Sequence, residues 1–377
     1  MGIDHTKDTI SVDIVIPSIR HDPKKLLSML NITIPSDVKL CWYVVSDNPS
    51  SESSDFTYGG SPVHVIVNTE NLGAPLSRNV GLESGSGDYV FFLDDDVIPA
   101  PDILSRYVDV IRSYPDAAGY IGPTFFPDPI NSFTRGIRAS DFLTFFEIST
   151  TMRTWVPWGT TSNLLVPRKN VGSTRFSKIF PKHGGGEDID FCLNVVNNTQ
   201  KQFKIVPDAY VRHGWWGGGR RSYRRFFRWA FGDSNIVKIH PETKFRDFPN
   251  MFEMLLFGSG VFACLLALEI ASVHHVAVSV GIIVACELAG EQTRKRITRG
   301  KFSAGDAIES AIIRLSNEMG RIVGNICHKN LAGFFVRFDY FGTGESVPFE
   351  RKISGLKFIS SIFLISTWFV VSHILNI

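Results

Sequence analysis

The stretch Tyr89-Val90-Phe91-Phe92-Leu93-Asp94-Asp95-Asp96-Val97-Ile98-Pro99 constrains this chain more than any other. Its first half is a run of aromatic and branched residues, the kind that forms a strand covered on both faces. The run then ends in three consecutive carboxylates, placed where a buried strand would emerge at an edge of its sheet. A solvated acidic turn is the simpler reading, yet solubility does not require such crowding of like charge. A divalent cation would relieve the repulsion, and Mg²⁺ or Mn²⁺ favours hard oxygen ligands alongside phosphate oxygens.

Upstream, Val12–Pro17 predicts a first strand, followed by a polar turn from Ser18 to Pro23 and a helix over Lys24–Asn31. Leu40–Ser46 predicts a second strand ending at Asp47-Asn48-Pro49-Ser50, and Val63–Val67 a third ending at Asn68. Asn71–Asn79 reads as a glycine turn entering a helix, with Pro75 near its first turn. Strands alternating with helices indicate an α/β fold with a mostly parallel sheet, whose ligands gather at the carboxyl ends of the strands. Ser18, Asp47, Asn71 and Asp94 all fall just past predicted strands, so they are expected to converge on one crevice. Each alone is compatible with a plain turn.

Downstream, Trp155–Thr161 precedes another apolar strand, Asn163–Val166. Trp158 there suits either a stacking platform for a ligand or the core. Gly184-Gly185-Gly186 leads into Glu187-Asp188 at the start of a helix. Acids in a first turn complement the helix dipole, while three glycines also let the backbone approach a ligand closely. His213 follows a strand-like piece. Arg220–Trp229 then packs five Arg into ten residues, suited to phosphate oxygens or to anionic lipid headgroups.

Taken in order, these pieces resemble the inverting, nucleotide-sugar-dependent glycosyltransferases of family 2, which have the GT-A fold. The resemblance covers about residues 12–235 and is carried by Val15–Ser18, the Asp47 turn, Asn71-x-Gly73 with Arg78-Asn79-x-Gly81, Phe92–Asp96 and His183–Leu193. It implies a nucleotide-sugar site that includes Pro17, Ser18, Asp47, Asn71, Arg78, Asp94 and Asp95. Within it, Asp47 would contact the base, Arg78 would lie near the diphosphate, and Asp94 would face the ribose and the metal. Asp96 would be the principal ligand of Mn²⁺ or Mg²⁺, joined by Asp94 and His213. Asp188 would be the general base, supported by Glu187. Trp158, Arg225, Arg228 and Trp229 are candidates for the acceptor or the diphosphate. Arg225-x-x-Arg228-Trp229 partly resembles the Gln-x-x-Arg-Trp signature of processive synthases, with Arg in place of Gln. Gly172–Phe176 also departs from the Gly-Gly-Phe-Asp-like turn frequent in such enzymes.

The rest of the composition sets the context. A formal net charge of +2 gives no reason to expect a nucleic-acid partner. The five cysteines are scattered, which fits a reducing compartment. Residues 1–11 are polar and carry no signal-peptide pattern, so the catalytic part is expected on the cytosolic side. From Phe248 to Gln292 there is no Lys or Arg. Phe252–Ile270 and Val273–Gly290 are each about long enough to cross a bilayer. Basic residues flank both ends, including Arg294-Lys295-Arg296, Arg299 and Lys301, which favours a hairpin with both ends cytosolic. A buried soluble hairpin is the alternative.

Ser303-x-x-Asp306 reads as a capping box before an amphipathic helix. Its apolar residues Ile308, Ile312, Leu315, Met319, Ile322 and Ile326 lie opposite Glu309, Arg314, Glu318 and Arg321. Phe358–Leu375 predicts a third span. The expected organisation is a polar tail (1–11), a GT-A catalytic domain (12–247), a transmembrane hairpin (248–292), a cytosolic or interfacial amphipathic segment (293–352) and a C-terminal transmembrane helix (353–377).

The chain thus reads as a membrane-anchored enzyme moving sugar from a nucleoside-diphosphate donor to a glycan or lipid-linked acceptor. A processive polysaccharide synthase is the nearest alternative, opposed by the missing Gln and the few spans. A nucleotidyltransferase would not explain Gly-Gly-Gly-Glu-Asp, and a non-catalytic membrane scaffold would be expected to have lost part of the acid set.

Overall fold

The computed structural model describes residues 9–20, 22–151, 153–299, 303–340 and 348–375. They divide into two compact units, one formed by the chain up to Asp128 with Phe142–Gly219, the other by Pro129–Asp141 with the chain from Arg220 onward. The boundary drawn near residue 247 from the sequence therefore falls inside the second unit. Of the polar tail, residues 1–8 lie outside the described residues.

In the first unit the strands are β1 (Ile10–Ser18), β2 (Val38–Ser46), β3 (Ser54–Tyr58), β4 (Ser61–Val67), β5 (Tyr89–Leu93), β6 (Val97–Pro99), β7 (Gly119–Ile121), β8 (Thr124–Phe125), β9 (Trp155–Val156), β10 (Asn163–Pro167), β11 (Phe203–Ile205) and β12 (Val211–His213). The main sheet has the order β3-β4-β2-β1-β5-β10-β7-β11-β9. Strands β4, β2, β1 and β5 are parallel. Strand β10 runs antiparallel between β5 and β7, and β11 lies parallel to β7. The sheet is mixed and mostly parallel, as the alternation of strands and helices predicts. Edge strand β3 is polar and exposed, so no hydrophobic pattern announced it.

Strand β5 shows why the central run is so apolar. Val90 to Leu93 are fully buried, and successive side chains of a strand point to opposite faces. Phe91 meets Tyr107 of α3 (Ile103–Ser113) edge-on, with centroids 5.2 Å apart. Phe92 on the other face meets Phe176 and Phe191, at 5.3 and 5.7 Å; Phe191 belongs to α6 (Glu187–Thr199). Each buried Phe is worth about 1.5–3 kcal/mol of transfer free energy. The apolar run is one strand, as read, and a second short strand that the sequence reading did not name follows the acids. The acids turn the chain at Asp94–Asp96, and β6 joins a separate sheet of order β6-β12-β8, because three adjacent carboxylates do not fit a covered strand.

The helices of the second unit are α4 (Ser132–Ala139), α7 (Arg224–Ile239), α8 (Met251–Ala267), α9 (Val273–Arg299), α10 (Ala304–Cys327) and α11 (Pro348–Leu375). Two apolar stretches, Val273–Arg296 and Glu350–Leu375, have the length and composition to cross a membrane, where the sequence predicts three. Helix α8 has 17 residues, or about 25 Å at 1.5 Å per residue, short of a ~30 Å hydrocarbon core. Helix α9 continues past Gly290 through the basic cluster because that cluster is paired. Arg294 reaches Glu291 at 3.3 Å, Glu350 at 3.4 Å and also Asp141, and Lys295 donates to the Ala139 carbonyl. Arg294 and Lys295 are buried, so they are not the free cytosolic anchor that their spacing suggests. Lys301 lies outside the described residues.

Helix α10 begins where expected, with Ser303 Oγ accepting from Asp306 N at 3.1 Å. Its apolar residues divide, with Ile313 and Ile322 buried. Ile308, Ile312, Met319 and Ile326 are exposed, whereas Asp306, Glu309, Ser310, Asn317 and Asn325 are buried. Three of these buried polar groups are held by partners. Asp306 pairs with Arg135 at 2.8 Å, Glu309 accepts from Tyr223 at 2.7 Å, and Asn317 donates to the Phe226 carbonyl at 3.2 Å.

Candidate active site

The carboxyl ends of β1, β2 and β5, together with β12, deliver the predicted residues to one edge of the first unit. At the end of β2, Asp47 is buried and accepts from Leu72 N and Gly73 N at 2.7 Å each, and from Asn68 Nδ2 at 3.0 Å. It thereby pins the Asn71–Gly73 turn that starts α2 (Ala74–Ser84). Gly73 has φ 86°, and a Cβ there would lie 2.6 Å from Lys182 Cβ, so only glycine serves. Lys182 closes the same turn from above, donating Nζ to the Asn71 carbonyl at 2.6 Å. Pro17 is buried in β1, and the next residue, Ser18, donates to Asp95 at 2.5 Å.

Arg78 projects from α2 into the interior, where it is 4% exposed. Its Nη2 donates to Asp94 Oδ1 at 2.8 Å, and its Nη1 lies 3.5 Å from Glu187 Oε1. One guanidinium thus joins the triple-Asp turn to the acids of α6. Burial raises Asp94, with Arg78 opposing it and Asp96 adding to it.

Asp96 owes its neighbour to strand pairing. Strand β12 runs antiparallel to β6 with His213 opposite Val97, which sets His213 Nε2 3.1 Å from Asp96 Oδ1. The Phe126 ring stacks on the imidazole, centroids 5.0 Å apart. Burial works against charge on both groups, but their mutual attraction wins, lifting His213 above its ordinary range and holding Asp96 well below its own. His213 Nδ1 is engaged with the Gly214 carbonyl, so it carries a proton, and Nε2 of a neutral ring would present a lone pair to a carboxylate. Two acceptors at 3.1 Å need a positive partner, either a second proton or a metal ion. The donor set therefore fits a divalent cation bound by carboxylate oxygen and imidazole. Among the described residues no three such side chains gather closely enough to hold an ion by themselves.

The loop before α6 depends on its glycines, with φ of 87°, 139° and 92° at Gly184, Gly185 and Gly186. That left-handed path turns Gly185 N onto Glu187 Oε2 at 2.6 Å. Glu187 therefore faces inward, toward Arg78. Asp188 points elsewhere and is partly exposed, with Thr161 N 3.4 Å from its Oδ2. Burial first, then the Glu187 carboxylate, push Asp188 up to about 7, with Arg78 opposing.

Other expectations are corrected. Trp158 is buried with its ring 5.5 Å from Phe145, so it fills the core and offers no open face to a sugar. Arg225, Arg228 and Trp229 belong to α7 of the second unit. Arg20 was missed. It lies two residues past the end of β1 and donates to Asp96 Oδ2 at 2.8 Å and to Asp95. The rule that site residues follow strand ends could have found it.

The sequence family described as "Glycosyl transferase family 2" matches residues 43–171. The succinoglycan biosynthesis protein ExoM of Rhizobium meliloti (strain 1021) is 27% identical over 220 residues, covering 54% of this chain and 67% of that one. An N-acetylglucosaminyltransferase of Bradyrhizobium sp. (strain ANU 289) is 31% identical over 108 residues, covering 26% of this chain and 67% of its own length. A glucosyl-dolichyl phosphate glucuronosyltransferase of Haloferax volcanii is 43% identical over 61 residues, or 16% of this chain and 19% of that one. Among solved structures, S. aureus TarS 1–349 in complex with UDP-GlcNAc aligns at TM-score 0.41 and 13% identity, covering 83% of this chain and 93% of that one.

Proposed function

Because the chain belongs to glycosyl transferase family 2, we propose that it transfers a sugar from a nucleoside-diphosphate donor to an acceptor hydroxyl with inversion, using Mn²⁺ or Mg²⁺. The observation that carries this reading is the single guanidinium of Arg78 between Asp94 of the triple-Asp turn and Glu187 beside Asp188. It ties a cation-binding edge to a candidate base within one unit.

On this reading Ser18, Asp47, Asn71, Arg78, Asp94 and Asp95 line the donor site. Asp96 and His213 hold the cation, with Asp94 alongside. When bound, the cation supplies charge neutralisation for the departing diphosphate. Asp47 keeps the Asn71–Gly73 turn in shape to receive the nucleotide. Asp188 accepts the proton of the acceptor hydroxyl as that oxygen bonds to the anomeric carbon. The bond from the anomeric carbon to the diphosphate breaks at the opposite face, and its electron pair leaves with the phosphate oxygen. Proton removal of this kind is worth roughly 10²–10⁴-fold in rate. Glu187, held by Arg78 and Gly185 N, fixes the start of α6 and so aims Asp188.

The second unit anchors the catalytic unit on the cytosolic face of a membrane. Helices α8 and α9 enter and leave it as a hairpin, so that α10 returns to the side of Arg135 and Tyr223. Helix α11 enters it again, and the exposed apolar residues of α10 meet the lipid surface. A glycan or lipid-linked acceptor suits an enzyme held there.

The test is to incubate detergent-solubilised protein with Mn²⁺ and a panel of nucleotide sugars, scoring nucleoside diphosphate release and the anomeric configuration of the product. Release from one donor with inverted configuration is expected. A retained configuration would remove the single-displacement mechanism, and no turnover with any donor and acceptor extract would remove the enzymatic reading.

A further inference from the structure

Among the described residues Arg20 bridges Asp95 and Asp96 of the triple-Asp turn. Its Nη2 donates to Asp96 Oδ2 at 2.8 Å and to Asp95, and its Nε lies 3.4 Å from Asp95 Oδ2. Asp96 Oδ1 faces His213. Each oxygen of Asp96 thus has one nitrogen partner, imidazole on Oδ1 and guanidinium on Oδ2. A divalent ion bound to Asp96 through Oδ2 would sit beside the Arg20 guanidinium, and the repulsion between two cations at that distance favours Arg20 leaving.

The cost of that expulsion is small. The Arg20 side chain is 51% exposed, and exposed ion pairs contribute little to stability. A released guanidinium is nevertheless left beside the site without a partner unless an anion arrives. A diphosphate is the anion that a guanidinium holds best, through paired N–H···O contacts.

We propose that Arg20 is a placeholder cation that couples metal binding to nucleotide binding. It occupies Asp95 and Asp96 until a divalent ion arrives together with a nucleoside diphosphate, and then exchanges its carboxylates for phosphate oxygens. An ion alone must displace Arg20 with no compensation. An ion that comes with a diphosphate supplies the new partner. The inference rests on the metal-dependent reading above and adds Arg20 to it as a positioning residue.

The experiment measures Mn²⁺ binding by electron paramagnetic resonance and calorimetry, on the full chain in detergent, for wild type, Arg20→Gln and Asp96→Asn. Each is measured alone and with UDP, GDP or TDP in turn. Arg20→Gln is expected to bind Mn²⁺ alone about ten-fold more tightly than wild type, the sum of two modest ion pairs. The factor by which the best nucleotide tightens Mn²⁺ binding should shrink by a similar amount. Arg20→Lys, which keeps the charge but not the fork, should fall between the two.

Unchanged or weaker Mn²⁺ binding by Arg20→Gln overturns the proposal. So does tighter binding with the nucleotide factor intact, because Arg20 would then compete without coupling. Asp96→Asn separates this failure from that of the underlying reading. If it binds Mn²⁺ as wild type does, the metal site itself is wrong. If it loses binding while Arg20→Gln changes nothing, only the role of Arg20 is wrong.

Discussion

The guanidinium of Arg78 lies 3.5 Å from the Glu187 carboxylate, with both side chains 5% exposed. A buried charge is tolerated only while it is paired, and removing one partner strands the other. Arg78→Met is therefore expected to cost about 3 kcal/mol or more of stability, read as a fall in the thermal midpoint of the detergent-solubilised chain. Arg78→Met combined with Glu187→Gln should recover part of that loss. If the double variant is less stable than the single one, the pair is not the electrostatic unit described.

Asp188 and Glu187 are adjacent on a helix, where consecutive side chains point about 100° apart. Glu187 turns to Arg78 and Gly185, leaving Asp188 for the acceptor. Asp188→Asn should keep nucleotide affinity and lose roughly 10²–10⁴-fold in transfer rate, whereas Glu187→Gln should be milder. A dead Glu187→Gln with a normal Asp188→Asn would exchange the two assignments.

The pH profile follows from the same pair. A base works deprotonated, and Asp188 is pushed up to about 7, by burial first and by Glu187 second. The rate should therefore rise with pH through about 7 and level off above it. Replacing Glu187 by Gln removes the negative charge that helps raise Asp188, so the rising limb should move to lower pH. A limb that stays in place, or lies in the ordinary carboxylate range, would exclude Asp188 as the group that titrates.

Asp96 and His213 meet only because β6 and β12 pair. Asp96→Ala should abolish transfer while the protein stays folded, and EDTA should do the same to wild type until Mn²⁺ or Mg²⁺ is restored. His213→Gln should weaken Mn²⁺ binding roughly ten-fold or more. Full activity in EDTA would end the metal-dependent account.

The exposed stripe of α10 gives a membrane prediction. A bimane label on a single cysteine replacing Ile312, in a background without other cysteines, should be quenched by nitroxide-bearing lipids in nanodiscs and shielded from aqueous iodide. The opposite pattern would place that face in water. Because Ile312 is exposed, the substitution itself should move stability by no more than about 0.5 kcal/mol.

What the sequence determined by itself were the parts that depend on local pattern and chemistry. Two-sided burial makes Tyr89–Leu93 uniformly apolar, and the alternation of strands with helices places Ser18, Asp47, Asn71 and Asp94 at one sheet edge. The same pattern marks the start of α10 at Ser303. Tertiary structure alone decided which neighbours those residues meet. Arg78 faces Asp94 and Glu187 because α2 and α6 bring them together, although these residues lie far apart in the chain. Trp158 is core because Phe145 covers it. Ile308, Ile312, Met319 and Ile326 of α10 are exposed while Asp306, Glu309 and Asn317 find Arg135, Tyr223 and the Phe226 carbonyl. Periodicity reports that a helix has two faces. Which face is buried depends on whether its polar groups find partners in the fold, and no local pattern contains them.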